Sequence, residues 1–250
     1  MLHYLRNIRQ KLILQENTKK YLLYAVGEIA LVMIGILLAL QVNNWNEDRV
    51  LQNQERQTLR SLQSELQVNV EILDGCLQEV NMVMVYGDSL RKYLGPDIST
   101  ISIDSTNKWL GEIGSTRRCK VVTNVLEELK SSGNLSSISN IDIRRKIGDW
   151  STSYNEMVKE EDEWAGELSN QFYPYTNKWV QWDDVDAMFS QNDFSTFKSR
   201  FKYDPRAILQ QFEFSNVLSL HYWRMNRNKI RVNDLTENST QLLELLNQSL

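Results

Sequence analysis

YLLYAVGEIALVMIGILLALQV, residues Tyr21 to Val42, carries a single charge in 22 residues. As a helix at roughly 1.5 Å per residue it covers about 33 Å, enough for a hydrocarbon core near 30 Å. Twelve of its residues are Leu, Ile or Val. Each favours insertion by about 0.3 to 0.6 kcal/mol, against a cost of roughly 3 kcal/mol for one acid at the centre of the span. Insertion wins, and the stretch reads as one transmembrane helix. It is too long for the core of a cleaved leader, and Gln41-Val-Asn-Asn-Trp-Asn-Glu47 after it lacks a small-residue cleavage pattern, so it reads as an uncleaved signal anchor. Arg6, Arg9, Lys11, Lys19 and Lys20 precede the span, and only Arg49 and Arg56 follow it closely. That asymmetry places the amino terminus in the cytoplasm. Tyr21, Tyr24 and Trp45 fall where interfacial aromatic rings belong.

Three regions follow: a short basic cytoplasmic segment over 1–20, the span over 21–42, and an extracytoplasmic domain over 43–250. Within the first, Leu2, Tyr4, Leu5, Ile8, Leu12 and Ile13 share one helical side, interrupted by Arg9. Two readings stand: a helix lying along the anionic inner leaflet, or a flank that serves topology alone.

Glu28 is the oddity of the span. If the hydrocarbon begins near Leu22, its carboxylate sits about 9 Å deep, beyond the unaided reach of a short side chain to the headgroups. At 100° per residue Gly35 and Ala39 fall within about 20° of it around the helix. Small residues four apart admit a second helix, and an intramembrane acid normally faces a partner. Glu28, Gly35 and Ala39 are therefore the expected contact with a second copy or with another envelope protein. The alternative is a tilted single helix that keeps Glu28 wet through local thinning of the bilayer.

The segment up to Val42 holds five basic and two acidic residues, which leaves 23 of the 28 basic and 30 of the 32 acidic residues beyond it. A domain with that acidic balance lacks the basic face that nucleic acid demands. Cys76 and Cys119 are too few for a metal framework; they are a disulfide in an oxidising compartment or two inert buried thiols.

The outer domain reads as mainly α. Leu59, Leu66, Leu73 and Val80 recur every seven residues, with Val70, Leu77 and Met84 as a second row. A helix from about Asn46 to Leu94 extends directly from the anchor and stops at Gly95-Pro96. Its seam, a coiled-coil pattern, packs inside one chain or between two. The polar stretch from Asp97 to Asn107 reads as loop, with a short piece from Lys108 to Ile113. Val121 to Lys130 reads as a helix, with Gly133 suited to the left-handed position beyond its end. Asn140 caps a further helix whose stripe of Ile143, Ile147, Trp150, Tyr154, Met157, Trp164 and Leu168 faces a core. Lys159 to Glu163 reads as a solvated charge run. Asp204-Pro205 opens a last helix, running to Leu246. Four main helices make a bundle. The aromatic region from Tyr173 to Tyr203 either caps that bundle or forms a binding cleft.

Two stretches resemble a Bacteroidota family of single-span membrane proteins that carries a domain of unknown function. They are Tyr24-Ala-Val-Gly-Glu-Ile through Leu40-Gln-Val-Asn-Asn-Trp-Asn-Glu47, and Leu126-Glu-Glu-Leu-Lys-Ser-Ser-Gly-Asn-Leu135 followed by Ile138-Ser-Asn140. The Gly-Glu pair of that family corresponds here to Gly27 and Glu28. The resemblance implies a bacterial inner-membrane anchor with a periplasmic domain, and it brings no activity, substrate or catalytic residue.

Catalytic motifs are missing from the sequence: there is no Gly-rich phosphate loop, no nucleophile elbow and no pair of histidines at ligand spacing. No cofactor is expected. The acids around Asp183, Asp184 and Asp186 lack calcium-loop spacing, so no metal is expected either. His221, beside Tyr222 and Trp223, reads as a packing residue, and Glu127, Glu128 and Glu160 to Glu163 as exposed. The expected function is a non-enzymatic, membrane-anchored interaction or structural protein whose partners are the bilayer and either itself or an envelope protein. The alternative is a ligand-sensing bundle acting through a separate signalling partner.

Overall fold

The computed structural model describes residues 18–186, 188–189 and 200–250. The expectations placed on residues 1–17, on the Tyr21 side chain and on the part of the aromatic region over 190–199 lie outside that description. Among the described residues the secondary structure is helical throughout, with no strand. Two compact units are present, Met1–Gln57 and Thr58–Leu250.

The first unit holds the amino-terminal part of α1, a helix of 75 residues spanning Thr18–Lys92. Its apolar stretch has no protein cover, with Leu23 at 79% and Leu31 at 74% exposure. It is the one described helix long and apolar enough to cross a membrane.

The second unit is built on three long helices rather than four. They are α1 from Thr58 onward, α4 over Ile141–Glu167, and α7 over Phe212–Ser249. Three shorter helices lie between: α2 over Ile103–Ile113, α3 over Asn124–Ser131, and α5 over Tyr173–Thr176. A further short one, α6, spans Trp182–Asp186. α7 runs antiparallel to α1, since Gln63 bonds Asn247 while Gly87 meets Tyr222 and Met225. It is antiparallel to α4 as well, because Trp150 Nε1 donates to Ser239 Oγ at 2.8 Å while Glu167 pairs with His221. A Cβ on Gly87 would lie 3.2 Å from the Tyr222 ring, so glycine there sets how closely α1 approaches α7.

The heptad seam on α1 is half as expected. Leu59, Leu66, Leu73 and Val80 are buried. The second row is Leu62, Asn69, Val83 and Leu90, all buried, with the partly buried Cys76 in register between them; it lies one position away from Val70, Leu77 and Met84, which are only partly covered. An asparagine and a cysteine in that row disguise it from a search for apolar residues alone. Each fully buried leucine of this seam contributes roughly 1.5–3 kcal/mol.

Other boundaries also move. Residues 103–107 belong to α2, because the Ser102 hydroxyl accepts from the Ser105 amide and starts the helix earlier than the polar composition suggests. Asn140 caps α4 as expected, accepting from the amides of Asp142 and Ile143. Gly133 takes the left-handed conformation, φ 71°. Asp204 caps only a 3₁₀ turn, Pro205–Gln210, before the chain breaks at Gln211 and α7 begins. α4 passes through a π-helical turn, Leu168–Phe172, into α5. The apolar interior falls into two clusters. One is built around Leu66, Ile147, Trp150 and Leu242, the other around Leu90, Trp164, Phe172 and Phe214.

The aromatic region contributes to the second cluster. Val180 and Val185 are buried in it, with Tyr173, Tyr175, Trp179 and Trp182 packed at its edge. Tyr175 stacks on Phe214 at 6.1 Å, and Trp182 meets Tyr173 edge-on at 5.5 Å. Gly111 lets α6 pack against α2, since a Cβ there would come within 2.6 Å of Val185 Cγ1.

Candidate functional site

The expected membrane contact lies on α1. Ala39 is exposed, and a Cβ built on Gly35 meets nothing within 4 Å among the described residues. Glu28 is half-buried. Tyr24 and Trp45 are 54% and 65% exposed, and the Arg49 guanidinium lies over the Trp45 ring at 5.8 Å. Among the described residues Gly35 and Ala39 are therefore left uncovered, and the buried polar contacts that follow lie in the second unit.

There the segment from Arg118 to Leu126 is strapped to α1 and α4. Cys76 and Cys119 are joined as a disulfide with Cα atoms 5.9 Å apart. Asn69 makes a paired bond with Val122, donating to its carbonyl at 2.8 Å and accepting from its amide at 2.7 Å. Glu65 accepts from the Val125 amide at 2.8 Å, supplying in trans the cap of α3 that Thr123 does not provide. Glu161 accepts from the Cys119 amide at 2.9 Å, and burial raises its carboxyl above the usual range despite that bond and the nearby Arg118. The charge run at 159–163 is thus only in part a solvated face, with Lys159 and Asp162 exposed. Glu160 and Glu161 are buried, and Glu160 binds both Arg224 and Arg227 at 3.2 and 3.1 Å. Alternation along a helix surface cannot reveal carboxylates whose amide and guanidinium partners come from elements far away in sequence.

His221 is fully buried, as a packing residue would be, and both ring nitrogens are engaged. Nε2 lies 2.7 Å from the Ile113 carbonyl and must carry the proton there, since a carbonyl only accepts. Nδ1 lies 2.5 Å from Glu167 Oε2, so one proton is shared across that contact. The imidazole also lies against the Phe172 ring at 4.7 Å. Tyr173 donates to the carbonyl of Gly114, the next residue along. The carbonyls left over at the end of α2 thus receive two side-chain donors, one buried and one partly buried.

Two clefts flank the contact between α2 and α6. The larger, about 760 Å³, includes Glu112, Arg117, Tyr173, Asn177, Trp182 and Asp186 in its wall. Its polar groups largely engage one another: Arg117 pairs with Glu112 at 3.2 Å, and Trp182 donates to Asn177 at 2.6 Å. Burial, reinforced by the Asp186 carboxylate, raises Tyr173 above the usual phenol range.

The smaller, about 510 Å³, lies at the start of α2. Tyr203 donates to Asp184 Oδ2 at 2.9 Å, and the Asn107 side chain bonds the same hydroxyl. Burial, then Asp184, push the Tyr203 phenol up to about 12. Asn107 is 3% exposed, and its Oδ1 has no hydrogen-bond partner among the described residues. Asn107 was hidden inside a stretch that reads as loop. Tyr203 and Asp184 lay in a region whose aromatic content dominated its reading, and no spacing in the sequence links them.

Among the described residues no three His, Cys, Asp or Glu side chains converge as metal ligands. No protein-family model, curated protein or solved structure matches the chain.

Proposed function

We infer that this chain is a single-pass protein of the bacterial inner membrane. Its amino terminus is cytoplasmic, and its acidic helical domain works by association and not by catalysis. The observation that carries this reading is the uncovered apolar stretch of α1, Leu22 to Val42, whose side chains have lipid or a second helix as their natural surroundings. The Cys76–Cys119 bond supports placing the domain in an oxidising compartment. The anchor motif shared with the Bacteroidota family supports the inner membrane. The Glu28, Gly35 and Ala39 stripe is the contact through which the helix meets a second copy or an envelope partner.

Crosslinking in native membranes with identification of co-purifying proteins tests association. A monomer without companions refutes it, and so does a Gly35→Leu variant that associates as the wild type does. A reporter fused after Leu250 tests topology, and cytosolic activity of that reporter sinks the placement.

A second reading has its own observation. The cleft bounded by Asn107, Asp184 and Tyr203 holds polar groups that converge. It favours a ligand-sensing bundle whose output passes to a separate membrane partner.

A further inference from the structure

The apolar interior of the second unit is interrupted midway along its three long helices. On α1 the first cluster reaches Leu73 and the partly covered Cys76 and Leu77, and the second begins at Val83. On α4 the corresponding limits are Val158 and Trp164, and on α7 they are Val232 and Met225. The buried residues between those limits are Val80, Glu160, Glu161 and Asn228. The helix pairing sets them at one level: Glu160 binds Arg227, the neighbour of Asn228, at 3.1 Å, and Val80 lies two turns before Gly87, which meets Tyr222 and Met225 two turns before the same stretch of α7. A layer in which all but Val80 are polar or charged therefore crosses the core.

The two carboxylates of the layer are engaged, Glu160 with Arg224 and Arg227 and Glu161 with the Cys119 amide. Asn228 is not. Among the described residues it is the one buried side chain in which two polar atoms lack a hydrogen-bond partner. Within the clusters on either side the polar groups of α7 are paired, Ser239 with Trp150 and His221 with Glu167 and the Ile113 carbonyl. Apolar burial binds together whatever it covers, whereas paired polar groups add little net cohesion, because they exchange contacts with water for contacts with protein. An unpaired buried amide subtracts from it.

The halves on either side are fastened unequally. The half around Leu66, Leu73, Ile147 and Leu242 contains the Cys76–Cys119 bond and the segment held by Glu65 and Asn69. The half around Trp164, Phe172 and Phe214 has no disulfide and takes part of its cover from the short helices α2, α5 and α6. Sub-global opening follows such differences in local fastening.

We propose that the domain is jointed at this layer: the half around Trp164, Phe172 and Phe214 opens as one body while the half fastened by the Cys76–Cys119 bond stays closed. The joint confines rearrangement to the end of the bundle that carries α2, α5 and α6.

The test is native-state amide exchange on the full chain in lipid nanodiscs at low urea concentrations. Leu73, Ile147 and Leu235 report the fastened half, and Val83, Trp164 and Leu218 the other. The expected result is two sets of amides, with the Trp164 set opening together and at least tenfold more often than the Leu73 set. Dithiothreitol cleaves the disulfide by exchange, leaving two thiols and its own cyclic disulfide, and is expected to speed the Leu73 set at least tenfold more than the Trp164 set. Asn228→Leu removes the unpaired amide and is expected to slow the Trp164 set at least fivefold. One opening shared by all six amides overturns the joint, and so does equal acceleration of both sets by dithiothreitol. Earlier opening of the Leu73 set overturns the choice of moving half. Unchanged or faster exchange of the Trp164 set in Asn228→Leu overturns the role given to the layer.

Discussion

Breaking the Cys76–Cys119 bond is the most informative perturbation, because the same bond reports stability and compartment. The two cysteines are 43 residues apart. Closing a loop of that size in the unfolded chain removes about 13 cal/mol/K of entropy, or about 4 kcal/mol at 25 °C. In a unit running from Thr58 to Leu250, each kcal/mol moves the melting temperature by roughly 2–4 °C, so reduction is expected to lower it by about 8–16 °C. Glu65, Asn69 and Glu161 still hold the same segment by hydrogen bonds, so the domain is expected to remain folded when cool. The assay is a thermal melt of the full chain in detergent, with and without reductant, beside a Cys76→Ala/Cys119→Ala variant that no longer responds to reductant. A shift below about 2 °C on reduction refutes the loop-entropy argument. Independently, thiols that alkylate in intact cells without prior reduction refute the oxidising compartment.

Asn228 is fully buried in α7, and neither atom of its amide has a hydrogen-bond partner among the described residues. Asn228→Leu is expected to raise stability by about 1–3 kcal/mol in a denaturant melt, and a loss would show that the amide is satisfied in solution. Asn69→Ala breaks a paired bond to Val122 and is expected to cost about 2 kcal/mol, measured the same way, with amide exchange at Val122 accelerated. Gly111→Ala forces a methyl against Val185 and is expected to cost about 1–3 kcal/mol, read as loosened packing of Trp182 in fluorescence. Two of the perturbed acids, Glu161 and Asp204, give opposite pH effects. Burial raises Glu161 above its ordinary value of 4.5, so the folded state loses stability as pH rises from there through the folded value. Glu161→Gln is expected to gain on the wild type as pH climbs from 4 to 7, and a variant that falls behind at pH 7 contradicts this. Asp204 is held low chiefly by its hydrogen bond from Arg206, so its contribution is complete above about pH 4 and fades as acid protonates the folded form.

The helical fold was legible because its signals are local. The apolar run at 21–42, the Asn140 cap and the stripe from Ile143 to Leu168 each depend on neighbours within a few turns. Much of what shapes the candidate site depends on distant partners. Asn69 and Cys76 sit in a seam whose pattern is usually read from leucines and valines, so the second row was placed one residue off. Glu160 and Glu161 look like surface charges until Arg224, Arg227 and the Cys119 amide are brought to them by the fold. The pairing of Tyr203 with Asp184 and Asn107 joins three segments, and no periodicity encodes it. His221 is buried, as its neighbours Tyr222 and Trp223 suggest, but its bond to Glu167 spans 54 residues and leaves no trace in spacing.

The strap from Arg118 to Leu126 differs in kind from an ordinary connection between helices. Cys119, Val122 and Val125 are fastened by four side chains, and three of those, Cys76, Asn69 and Glu65, come from one helix. A single inserted or deleted residue within it would slip every attachment at once, much as a tooth lost from a zipper misaligns all that follow. Surface connections commonly tolerate changes in length; this one behaves as a ruler, and epitope tags or fluorescent insertions intended to leave the domain intact belong elsewhere.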